Sequence, residues 1–117
     1  MTAQSIAARA AAAPIGPGLD KPIYTISVAS EILETHPRTL MMYESLELVV
    51  PHRTATNRRR YSQRDLLTLQ AIQKLTREHR LNLRGAQYVI QLLKILDANG
   101  LPRPPELGDL DVAHVRL

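Results

Sequence analysis

Three observations predict a mainly α-helical domain of the winged helix-turn-helix class. Apolar residues recur at helical spacing in four segments of this 117-residue chain. The second and third segments are separated by a hairpin signal, Leu48-Val49-Val50-Pro51, a polar loop, and Arg58 to Tyr61. That hairpin is basic: between Glu47 and Asp65 stand five arginines and no acid. The expected layout is a short two-stranded wing after a helix pair, two following helices, and disordered tails.

Taken in order, residues 1–21 are rich in Ala, Pro and Gly and are expected to form a disordered arm. Ser27 is placed as the N-cap of a first helix, with Val28, Ala29, Ile32 and Leu33 at helical spacing behind it. Thr35-His36 makes the break, and Pro37 sits at the first position of a second helix, where proline is tolerated best. That helix spans 37–46, with Leu40 and Tyr43 facing inward. Thr54-Ala55-Thr56-Asn57 is the hairpin loop, with Asn at its tip. Ser62 and Asp65 form a capping box with Asp in the usual Glu position, opening a third helix through Leu66, Leu69, Ile72 and Leu75 to near His79. Asn82 caps a fourth helix, Leu83 to Ala98, which Asn99-Gly100 stops. The folded domain is therefore placed at 22–99. Residues 100–117, proline-rich and acidic, are expected to be an extended tail.

The fourth helix is apolar over more than one face. Ala86, Val89, Ile90, Leu92, Leu93 and Leu96 cover an arc of about 160°, and Ile95 widens it to about 220°, against roughly 100° for a helix lying on one small domain. Val89, Leu92, Leu93 and Leu96 are the candidate dimerisation residues. Deeper burial within the domain is the competing explanation.

Charge and composition narrow the function. The net charge is +4, modest overall, but the basic residues gather on one segment, as a polyanion partner requires. The last 21 residues instead hold four acids against Arg103 and Arg116. With no cysteine there is no disulfide, zinc cluster or thiol sensor. The four histidines, His36, His52, His79 and His114, show no metal-ligand spacing, so no metal and no cofactor is expected. No apolar run approaches the roughly 18 residues of a membrane span, and the alanine-rich start is too short for a signal sequence; the cytoplasm is the expected location. A glycine-rich phosphate loop, an H-E-x-x-H run, a nucleophile elbow and a paired-carboxylate site are all missing, so no enzyme is expected.

Arginine presents a planar fork suited to phosphate, so Arg53, Arg58, Arg59 and Arg60, with Arg64 nearby, are placed on a DNA backbone, and the Tyr61 hydroxyl adds a neutral donor. Such contacts position a protein without reading sequence. Bases would be read by Arg38, Thr39 and Met42, at the exposed start of the second helix. Ser27 is a further phosphate candidate.

The stretch from Tyr24 to about Leu96 resembles the DNA-binding region of MerR-family transcription regulators. The resemblance rests on Thr39-Leu40-x-x-Tyr43-Glu44, Leu48-Val49, Pro51-x-Arg53, Arg59-x-Tyr61-Ser62 and Asp65-Leu66. His36-Pro37 before Arg38, Arg59-Arg60-Tyr61-Ser62 and Asn82-Leu83 make it most similar to the heat-shock repressor HspR branch. The resemblance implies a winged-helix homodimer on double-stranded promoter DNA, with the second helix in the major groove and the wing on flanking phosphates. It adds Tyr43 to the DNA-contacting set, and it implies repression of stress-response genes by deforming promoter DNA. RNA polymerase or a chaperone such as DnaK are the implied protein partners. Three departures stand out. Met41 replaces a usual arginine, and Glu47 replaces the glycine common before Leu48. No long dimerisation helix or effector domain is expected after Gly100. The alternatives are head-to-tail binding to direct repeats, an excisionase-like DNA bender, or a protein-interaction module that has lost DNA.

Overall fold

The structure, a computed structural model, describes residues 17–117. A 3-10 turn (Pro17–Asp20) leads into strand β1 (Tyr24–Thr25) and helix α1 (Ile26–Ile32). Helix α2 (Pro37–Ser45) follows, then the hairpin strands β2 (His52–Arg53) and β3 (Arg59–Tyr61). Helices α3 (Gln63–Arg77) and α4 (Leu83–Ala98) complete the domain, and a second 3-10 turn (Pro105–Leu107) lies in the C-terminal segment.

The local chemistry explains most boundaries. Helix α1 is capped by Thr25, whose hydroxyl accepts from the Val28 amide at 3.2 Å. The cap thus lies two residues earlier than the expected Ser27. With the helix phase set by Thr25, Val28 turns outward, 43% exposed, while Ala29, Ile32 and Leu33 go to the core. The turn into α2 is made by Glu34 in the left-handed region (φ 50°), and the Gln73 side-chain amide donates to the Leu33 carbonyl at 2.9 Å, closing the end of α1. Helix α2 starts as expected with proline in its first turn, capped by His36 Nδ1, which accepts from the Arg38 amide at 3.0 Å. Ser62 and Asp65 form the full reciprocal capping box, at 3.1 and 2.9 Å. Asn82 caps α4 by accepting from the Gly85 amide at 2.7 Å, and Gly100 takes a left-handed φ of 64° just past its end.

The wing is a three-stranded sheet in the order β1-β3-β2, one strand more than the hairpin signal predicts. Tyr24 pairs with Tyr61 and Thr25 with Arg60, so the start of α1 is tied directly to the wing. A two-residue strand has too little periodicity to be read from sequence. At the hairpin tip Asn57 takes φ 62°, as a tight turn needs, and its amide donates to the Thr54 carbonyl at 2.8 Å.

One core runs through the described residues, from Leu33, Leu40 and Tyr43 through Tyr61, Leu66, Leu69 and Ile72 to Ile90 and Leu93. Its far end corrects the sequence reading. Residues 101–117 are not an extended tail: Leu110, Val112 and Val115 are 5%, 1% and 3% exposed and belong to the same core. Asn99 and Gly100 end α4, and the apolar residues beyond the prolines cover flanks of α3 and α4 that would otherwise be wet. Polar ties hold the strap down. Arg103 binds Asp97 and donates to the carbonyls of Leu107 and Leu110, and Lys94 donates to the Val115 carbonyl at 2.6 Å. The expected N-terminal arm is likewise shortened, since Leu19 is 3% exposed and Asp20 pairs with both Arg64 and Arg116. The rest of that arm, residues 1–16, lies outside the described residues.

Candidate nucleic-acid interface

Two neighbouring features of the fold gather the exposed polar groups. The first is the outer face of α2, where His36, Arg38, Thr39 and Met42 line one open concavity. Pro37 and the His36 cap fix the first turn, and Leu40 and Tyr43 anchor the opposite face in the core. The side chains between them therefore stand outward. Met41 and Met42 are 41% and 43% exposed, an apolar patch available for contact.

The second feature is a cleft of about 380 Å³ between α1 and the wing, lined by Thr25, Ile26, Ser27, Asn57, Arg58, Arg59 and Arg60. Pairing of Thr25 with Arg60 is what brings helix and wing together there. Three consecutive arginines on one wall give it a positive field, and the exposed Ser27 hydroxyl adds a neutral donor.

The arginines are not equivalent. Glu44, in the last turn of α2, accepts from Arg53 Nη2 at 2.9 Å and from Arg59 Nε at 2.7 Å. Partial burial works to raise the Glu44 pKa, but the hydrogen bonds and charges of Arg59 and Arg53 outweigh it and hold the carboxyl below its ordinary value. Arg60 donates to the Arg59 carbonyl at 2.9 Å. Arg58 is exposed and, among the described residues, has no carboxylate partner. Arg64 points away from the cleft. It binds Asp20 at 2.7 Å and the His114 carbonyl at 3.0 Å, and so serves the C-terminal strap.

Of the ten expected contact residues, eight lie on or beside these two surfaces: Ser27, Arg38, Thr39, Met42, Arg53, Arg58, Arg59 and Arg60. The two tyrosines do not. Tyr43 is 6% exposed and Tyr61 is 1% exposed, and both side chains belong to the core rather than to either surface. The alternation of the strand puts Tyr61 inward after Arg60, and its buried hydroxyl has no hydrogen-bond partner among the described residues. Burial, with the Glu44 charge nearby, pushes its phenol up to about 12. Glu44 enters the sequence reading only as part of the motif Thr39-Leu40-x-x-Tyr43-Glu44; its pairing is not legible there, because nothing in its local spacing marks a partner nine or fifteen residues on. Glu47 borders a groove with Val50, Asp65, Thr68 and Arg116, on the strap side of the domain rather than beside the arginine cleft. Its φ of 59° is left-handed, which explains why glycine suits this position.

The fourth helix divides its apolar arc. Ala86, Ile90 and Leu93 are buried in the domain, and Val89 and Leu96 pack half-buried against its core. Leu93, expected at a dimer contact, is only 2% exposed and serves the monomer. Tyr88, Leu92 and Ile95, at 56%, 59% and 57% exposure, form the uncovered stripe. Among the described residues no helix is long and apolar enough to cross a membrane, and no three His, Asp or Glu residues are grouped to hold a metal ion.

Comparison with known proteins agrees with this geometry. A family model described as MerR HTH family regulatory protein matches residues 24–93, from β1 into the last turns of α4. A Streptomyces coelicolor protein provisionally named heat shock protein HspR is 45% identical over 73 residues. The match covers 62% of this chain and 48% of that protein, so the chain spans about half the length of the curated relative. The matched span holds the turn between α1 and α2, the wing and the capping box, which is the whole frame of the two surfaces described above. The chain belongs to the MerR HTH family of regulatory proteins, and over the matched span it is similar to HspR.

Proposed function

We propose that this protein is a sequence-specific transcription repressor that binds promoter DNA as a homodimer. Helix α2 enters the major groove, presenting Arg38, Thr39 and Met42 to base edges. The wing and the α1 cleft straddle the adjacent backbone through Arg58, Arg60 and Ser27, fixing register without reading sequence. The observation that carries the reading is the juxtaposition of these surfaces. Helix α1 packs on both α2 and β3, and so joins a helix face free of acids to a cleft with three arginines on its wall. Control of stress-response genes follows from the likeness to HspR.

The second copy is placed on α4, because Tyr88, Leu92 and Ile95 are apolar, adjacent and uncovered. Three side chains make a small interface, so two half-sites on one operator are expected to hold the copies together. The test is a salt titration of operator binding with Arg58→Gln plus Arg60→Gln. Each lost phosphate contact is expected to flatten the plot of log affinity against log salt by about 0.9, so by about 1.8 per protomer. An unchanged slope in a folded double variant contradicts the placement of the wing.

A further inference from the structure

The two strands of the wing and the helix proposed to read bases meet at one carboxylate. Glu44 Oε2 takes Arg53 of β2 and Oε1 takes Arg59 of β3. Those arginines are directly opposite each other in the hairpin register. Arg53 reaches on to the tip through the Asn57 carbonyl at 3.4 Å. A single side chain from the last turn of α2 therefore ties both strands, and the turn beyond them, to the reading helix. The Glu44 and Arg59 side chains are 21% and 24% exposed, so water screens this network less than an open surface pair. The arrangement also sets the charge the wing presents. One carboxylate lies against two guanidinium groups and cancels one unit of their charge.

We propose that Glu44 is a positioning residue that sets DNA specificity, aligning the wing with α2 and withholding Arg53 and Arg59 from indiscriminate phosphate contact. The proposal rests on the DNA-binding reading above. Held by Glu44, the two arginines point where α2 dictates, and the wing engages backbone only when α2 lies in its groove. Freed of it, they are mobile cations that bind any duplex. Sequence preference is a ratio of affinities, so a residue that lowers the unspecific one raises preference without touching a base.

The experiment compares parent, Glu44→Gln and Glu44→Asp on operator DNA and on random-sequence duplex of equal length, across a salt series, with melting followed in parallel. Glutamine keeps the shape and removes the charge. It is expected to raise random-duplex affinity several-fold and steepen the salt slope by about 0.9 per protomer. The ratio of operator to random affinity is expected to fall about tenfold or more, about 1.4 kcal/mol. Aspartate keeps the charge on an arm too short for both arginines. Its salt slope is expected to match the parent's while the ratio still falls, and this variant answers the question if the glutamine form does not fold. A purely structural role would lower both affinities in parallel and leave the slope alone, and that result overturns the proposal. So does an unchanged ratio in both variants. A parent that shows no preference for any sequence overturns the DNA-reading function itself, and this inference with it.

Discussion

The C-terminal strap is tested most sharply by Val112→Ala. Val112 is 1% exposed, belongs to the core that also contains Ile90 and Leu93, and lies fourteen residues past the end of α4 at Ala98. Alanine removes two methyl equivalents, worth about 0.8 kcal/mol each in transfer. The cavity left behind adds to that, bringing the cost to about 2 kcal/mol. In a domain of this size such a loss lowers Tm by about 8–16 °C. Thermal melting by circular dichroism, repeated as a urea titration, measures it. Leu101→Ala is the control: Leu101 is 53% exposed and its loss is expected to change stability by less than about 0.5 kcal/mol. If Val112→Ala melts with the parent, residues 101–117 are not part of the folded core. The strap matters to function because Arg64, at the start of α3, is held by the His114 carbonyl and by Asp20, and α3 follows directly from the wing.

Three further outcomes follow from named residues. Glu47→Gly relieves a left-handed backbone of about 1–2 kcal/mol strain but frees the unfolded chain, so a gain of up to about 1 kcal/mol is expected in urea titration, against a loss if φ there is ordinary. Glu44, whose folded pKa lies below its ordinary 4.5, contributes stability that is present above about that value and lost as pH falls through the folded pKa. Amide exchange in β2 and β3 is therefore expected to accelerate on acidification through that window in the parent but not in Glu44→Gln. Leu92→Glu, on the uncovered stripe of α4, is expected to leave Tm unchanged and to weaken binding to a two-half-site operator about tenfold or more, with little effect on a single half-site. Equal binding of parent and variant to the full operator would remove α4 from the dimer interface.

Much of this architecture is legible in the sequence, and the failures share a cause. Helix starts written in local chemistry were readable: Pro37, the Ser62–Asp65 box and Asn82 each act within three residues of themselves. The hairpin was readable from its arginine strand and from Asn57 at the turn. What escaped were features set by distant partners. Thr25 outcompetes Ser27 as a cap in a backbone where Thr25 is already fixed by pairing with Arg60. Tyr61 looks like a groove donor beside three arginines, yet strand alternation turns it inward. Residues 101–117 carry prolines and acids typical of a tail, while the spacing of Leu110, Val112 and Val115 has neither helical nor strand period and gains meaning only against α3 and α4. Glu44 pairs across nine and fifteen residues, a separation without local signature.

The most direct measurement is selection of bound fragments from sheared genomic DNA at near-physiological salt, followed by sequencing. A small set of promoter fragments sharing a repeated motif is expected, and the orientation of the repeats gives the geometry of the dimer. Diffuse recovery that vanishes as salt rises would mean that α2 reads no sequence, and would contradict the repressor assignment.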